Sequence, residues 1–143
     1  MSFLTKKNKL MNALRNADLD NAFQVRNESA DSIMLQSNQN MGNGNCLISL
    51  DLSESVFNCI YFCLGQLNNP IKQDTMLSLL NEFNADNLAL KFYLDSDNAI
   101  MVRITYIATA EKFDGDEYLA LLGSLFNSIK DNYLNKIMKV IWS

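Results

Sequence analysis

The chain is 143 residues long, 48% hydrophobic and 20% charged, which is the size and balance of one core-forming globular domain. It has a net charge of −4 and no histidine. The acidic balance lacks the concentrated Lys and Arg that phosphate backbones and anionic lipid require, so neither nucleic acid nor membrane is expected as a partner. The missing histidine excludes Ser-His, Cys-His and zinc-His constellations.

No stretch approaches the ~20 apolar residues of a spanning helix. Residues 1–18 lack the apolar core and small-residue cleavage site of a signal peptide, so a cytoplasmic location is expected. The first element is an amphipathic helix over residues 3–17, with Phe3, Leu10, Leu14 and Ala17 on one stripe. Lys6, Lys7 and Lys9 read as its solvated face, as do Lys130, Lys136 and Lys139 near the other end of the chain. After a polar link the period changes to two. Phe23 and Val25, then Ile33 and Leu35, then Ile48, Leu50 and Leu52 mark three short strands, the last two joined by a hairpin loop over residues 38–45.

Residues 56–64 differ from these strands because both faces are apolar. Phe57, Cys59, Tyr61 and Cys63 lie on one side, and Ile60, Phe62 and Leu64 on the other, so the strand has to be covered twice. Asn69 and Pro70 then cap and open a second helix carrying Met76, Leu79, Leu80 and Phe83 as far as Asn84. A hairpin follows, with strands over residues 88–94 and 100–106 about the turn at residues 95–98. The last element is one long helix with Asp114 as its cap and Glu117 reaching back in a capping box. Its stripe of Tyr118, Leu121, Leu122, Leu125, Ile129, Tyr133, Ile137 and Ile141 runs almost to Trp142. Strands and helices segregated in this way predict an α+β domain spanning residues 1–143, in the order α-βββ(β)-α-ββ-α.

The search for chemistry is largely negative. Cys46, Cys59 and Cys63 read as buried structural thiols; on a strand, Cys59 and Cys63 share a face roughly 14 Å apart at ~3.4 Å per residue, too far to ligate one metal. Residues 95–98 open like a calcium loop, but Ile100 and Tyr106 stand where that loop needs glycine and glutamate. Residues 41–45 lead into a strand, whereas a phosphate cradle leads into a helix. Phe57, Tyr61, Phe62, Phe92, Tyr93 and Tyr106 could stack bases, but only Lys91 and Arg103 lie near them, so they read as core. Asp114, Asp116 and Glu117 are accounted for by capping and the helix dipole. No catalytic, cofactor-binding or metal residue is therefore expected.

Residues 79–84, Leu-Leu-Asn-Glu-Phe-Asn, run into the strand Leu90-Lys91-Phe92-Tyr93-Leu94. This segment, with the order of the elements, resembles the YbjN-like proteins, which share the fold of the type III secretion chaperones. Asn81 and Asn84 match that family's Asn-rich helix end. The resemblance implies a bacterial protein with a strongly curved antiparallel sheet flanked by helices, frequent homodimerisation and no catalytic residues. For the related chaperones it implies binding of an extended client segment.

The expected function is thus a non-catalytic interaction module, chaperone-like or regulatory, acting as a homodimer or on a client protein. Its interface is expected around Tyr61, Phe62 and Leu64, or around Ile137, Ile141 and Trp142. Two alternatives stand beside it. One is a ligand-binding protein or enzyme with a pocket built from Asp114, Asp116, Glu117 and aromatic residues. The other is a phage or mobile-element accessory protein, which composition alone does not separate from the first reading.

Overall fold

The computed structural model describes residues 2–42 and 44–143. Helix α1 (Ser2–Asn16) is followed by β1 (Gln24–Glu28), β2 (Ser32–Asn40), β3 (Asn45–Ser53) and β4 (Phe57–Gln66). A 3-10 turn at Pro70–Lys72 leads into α2 (Gln73–Asp86), then come β5 (Lys91–Leu94), β6 (Ala99–Ile107), α3 (Gly115–Asn132) and α4 (Leu134–Trp142). The fold is α+β, as expected. The six strands form one curved, open antiparallel sheet in the order β1-β2-β3-β4-β6-β5. β4 and β5 each pair antiparallel with β6 and so run parallel to one another, with α2 as their crossover.

The sequence period decides which face the helices cover. Ile33 and Leu35 of β2, Leu50 and Leu52 of β3, Ile60 and Phe62 of β4, and Ile100 and Val102 of β6 point the same way and are almost wholly buried. Leu10 and Leu14 of α1, Met76 and Leu80 of α2, Tyr118 of α3 and Ile137 of α4 close over them in a single hydrophobic core. Each such side chain stabilises the fold by roughly 1.5–3 kcal/mol over its exposed state. The aromatic rings of Phe83, Phe92 and Tyr133 meet in pairs at 4.8–5.1 Å between centroids, joining α2, β5 and the junction after α3.

The turn at residues 95–98 is held by Asp95, whose Oδ1 accepts from the backbone N–H of Asp97 and of Ala99, each at 2.9 Å, while Asn98 takes a left-handed φ of 61°. Asn69 caps the 3-10 turn by accepting from the Ile71 N–H at 3.1 Å. Asn84 acts across a larger gap: its side-chain amide accepts from the Phe92 N–H at 2.8 Å and donates to the Phe92 carbonyl at 2.9 Å. It thereby pins the end of α2 to the outer side of β5. The other asparagine of the motif, Asn81, is exposed on α2.

Several expectations need correction. The long last helix is two helices, because Tyr133 adopts φ −124° and ψ −38° at the break. Turning there lets the Tyr133 ring reach Phe83 and Phe92 while Leu134 and Ile137 stay buried. The hairpin loop over residues 38–45 is shorter than expected: β2 extends to Asn40 and β3 starts at Asn45, Met41 is buried beneath the turn, and Asn43 lies outside the described residues. Phe23 is buried ahead of β1, whose five residues are all exposed. Leu88 also falls outside its strand and is fully exposed.

Lys6 is not on a solvated face. It is 1% exposed, and its ammonium donates to the carbonyls of Ser53 at 2.9 Å and Ser55 at 2.8 Å, where burial pulls its pKa down. Lys9 likewise donates to the carbonyls of Ala110 and Glu111, and Lys7 pairs with Glu28. Asp114 caps α3 through the Glu117 N–H at 3.1 Å as expected, but the Glu117 carboxylate accepts from the Tyr106 hydroxyl at 2.5 Å instead of reaching back.

Candidate interaction surface

Because strand residues alternate, the side chains pointing away from the helices form the second face of the sheet, and no helix among the described residues covers it. Its centre is Tyr61 on β4, which lies opposite Ser49 of β3 on one side and Arg103 of β6 on the other, with Lys91 of β5 beyond. One step toward Cys63 the row reads Leu47, Cys63, Met101 and Tyr93. One step the other way it reads Asp51, Cys59 and Thr105, and beyond that Phe57 stands against Ile107. Ser49 is buried, Lys91 and Thr105 are exposed, as are Phe57 at 57% and Ile107 at 67%, and the rest are half-buried. The strand expected to need two covers has one.

The electrostatics of this face are mixed. Asp51 is lifted above the usual carboxylate range by desolvation. Tyr61 is raised chiefly by desolvation, with Cys59 and Asp51 adding to the shift and Arg103 opposing it. Tyr93 is also raised by desolvation, against a pull from Arg103. The Lys91 ammonium sits 5.8 Å from the centre of the Tyr93 ring, a cation–π contact. Neither Asp51 nor Arg103 has an ion-pair partner among the described residues, where Lys7 with Glu28 makes the one salt bridge.

The residues expected at an interface separate into three groups. Tyr61 lies on the open face. Phe62, Leu64 and Ile137 are core, exposed by no more than 3%. Ile141 is half-buried, 3.7 Å from where a side chain at Gly65 would begin, and Trp142 is 79% exposed. Leu64, Ile141 and Trp142 do converge, on the opposite side from Tyr61, around a cleft of about 440 Å³ rimmed by Asn45, Gln66 and Asn68.

Of the six aromatics expected in the core, Phe57, Tyr61 and Tyr93 stand on the open face instead. Sequence reasoning also missed Ile107, Asp51 and Arg103 as part of this surface. The alternation that grouped Phe57 with Tyr61 was the signal that reached furthest. Cys46 is buried under the helices, where desolvation holds its thiol up to about 12, while Cys59 and Cys63 share the open face; all three are free. Among the described residues no group of three His, Cys, Asp or Glu side chains is placed to hold a metal ion. Asp114 and Asp116 border an open, charged depression of about 450 Å³ with Lys9 and Lys112. No helix among the described residues is long and apolar enough to cross a membrane.

Set against known proteins, the chain matches no family model, no curated protein and no solved structure.

Proposed function

We propose that this chain is a non-catalytic, cytoplasmic protein-interaction module, chaperone-like or regulatory, and that its working surface is the open face of the sheet. One observation carries the reading: the outward side of β4 is apolar and aromatic along its length, yet nothing among the described residues covers it. Contiguous uncovered apolar surface of this kind marks association sites. The acidic balance, and Asp51 in the middle of the face, work against a phosphate backbone as the occupant. The resemblance to YbjN-like proteins, with their homodimers, supports the same reading, as does the client binding of the related chaperones.

The test is Tyr61→Lys, which puts a charge at the centre of the face without touching the core. It should abolish association, read as solution mass by light scattering and as retention of any specific client, while the thermal midpoint stays within a few degrees of the parent. Unchanged association would rule the open face out.

The cleft beside Trp142 favours a second reading, a small-ligand protein, because it joins an apolar floor to amide side chains in a volume typical of ligand sites. Trp142 is the only tryptophan of the chain, so its fluorescence reports on that cleft directly. A saturable shift with a ligand, unaffected by Tyr61→Lys, would establish this reading in place of the first.

A further inference from the structure

The open face carries a charge pattern that its own chain cannot neutralise. Asp51 lies one strand to one side of Tyr61, on β3, and Arg103 one strand to the other side, on β6. With β4 between them, the two backbones are roughly 10 Å apart at ~4.8 Å per strand, and the residues are also one step out of register. Both charges sit on a partly desolvated, apolar face, where an unpaired charge is costly.

We infer that the occupant of this face is a second copy of the same chain, turned about a two-fold axis that runs along β4 above Tyr61. The inference rests on the interaction reading above and names its partner. Such an axis lays β3 of one copy over β6 of the other. Asp51 then faces the partner's β6 one step along from the partner's Arg103, roughly 12 Å between backbones at ~10 Å between sheets and ~3.4 Å per residue. The two side chains span that gap because both point into the interface, and the contact occurs twice, as a self-complementary interface requires. The same operation sets Leu47 over the partner's Met101 and places Tyr61 and Phe57 against their own counterparts on the axis. The apolar residues therefore match along with the charges.

The available area is of the right order. β2, β3, β4 and β6 are nine or ten residues long. At ~4.8 Å between strands and ~3.4 Å per residue they present roughly 600 Å² of face. That is most of the ~800 Å² per partner typical of a stable interface, and β5 adds to it.

The experiment is a charge swap followed by sedimentation equilibrium over a range of concentrations, with circular dichroism confirming that each variant is folded. The parent should be a dimer. Asp51→Arg and Arg103→Asp should each weaken it by about tenfold or more, and the double variant should return to within a few-fold of the parent. A parent that stays monomeric, or a double variant as weak as the two single changes combined, overturns the inference. Tyr61→Lys separates this failure from that of the broader reading. If it dissociates a dimer that the swap does not rescue, the open face stands as the interface and this arrangement falls. If it leaves the dimer intact, both fall. If the parent is monomeric, the broader reading rests on whether Tyr61→Lys abolishes client retention.

Discussion

Phe62 and Tyr61 are consecutive residues on one strand, and they belong to different parts of the protein's work. Phe62 is sealed beneath α3, its ring 6.4 Å from that of Phe126, and contributes to holding the monomer together. Tyr61 faces outward among Ser49, Arg103 and Cys59, half-buried by neighbours on the sheet and by nothing above it. An apolar side chain by itself does not distinguish these roles; what distinguishes them is whether the chain returns a helix over that side. The covered face is closed by the chain's own helices, and the open face is not.

The sharpest way to break this comparison is to shorten both residues. Phe62→Ala should lose about 3–5 kcal/mol of stability through the cavity it leaves, whereas Tyr61→Ala should lose about 1 kcal/mol or less in the monomer. Urea denaturation at low protein concentration measures both, and equal losses would mean that the outward side is as buried as the inward one.

A second difference appears at alkaline pH, through Cys46 on the covered side. Its thiol titrates near 9 in the unfolded chain and at about 12 in the fold, so the stability it carries is fully present below pH 9 and is lost as pH rises toward 12. At ~1.4 kcal/mol per pKa unit the loss amounts to roughly 4 kcal/mol. Cys46→Ala should flatten the decline of stability with pH over that range, leaving the share due to Tyr118, which burial raises well above its ordinary value, and to Cys63, Tyr61, Tyr93 and Tyr106, which burial also raises. An unaltered decline in the variant would show that the covered face is wetter than its packing implies.

The smallest effect belongs to the rim where the two faces meet. Asn84→Ala removes both side-chain hydrogen bonds to the Phe92 backbone and should cost about 1–2 kcal/mol. Hydrogen exchange should show it locally, as faster exchange of the Phe92 amide with the amides of β3 unchanged.

The sheet was legible in the sequence because burying one face imposes alternation, and a one-residue slip would turn Leu50 and Leu52 outward. The last helix was not, because Ile129, Tyr133, Ile137 and Ile141 keep a four-residue spacing straight through the break at Tyr133. What turns the chain there is the aromatic cluster with Phe83 and Phe92, a contact between distant segments. Lys6 was misread for a similar reason: the carbonyls of Ser53 and Ser55 that satisfy its ammonium lie 47 and 49 residues away. For the site, the sequence identified a strand apolar on both sides and could not tell which side the helices would take. That is why Tyr61 was expected at an interface together with Phe62 and Leu64, which the fold has buried.

The two borders of the sheet limit what its open face can build. At one border the Phe92 backbone is occupied by the Asn84 amide. At the other, β1 is five exposed residues long, with a bulge between Val25 and Asn27 and charges at Arg26 and Glu28. Neither border offers the flat, unpaired edge on which another strand is templated. If the open face is the interface proposed above, an assembly built through it without such an edge would be of finite size, since one partner would bury the plane once and leave nothing to extend.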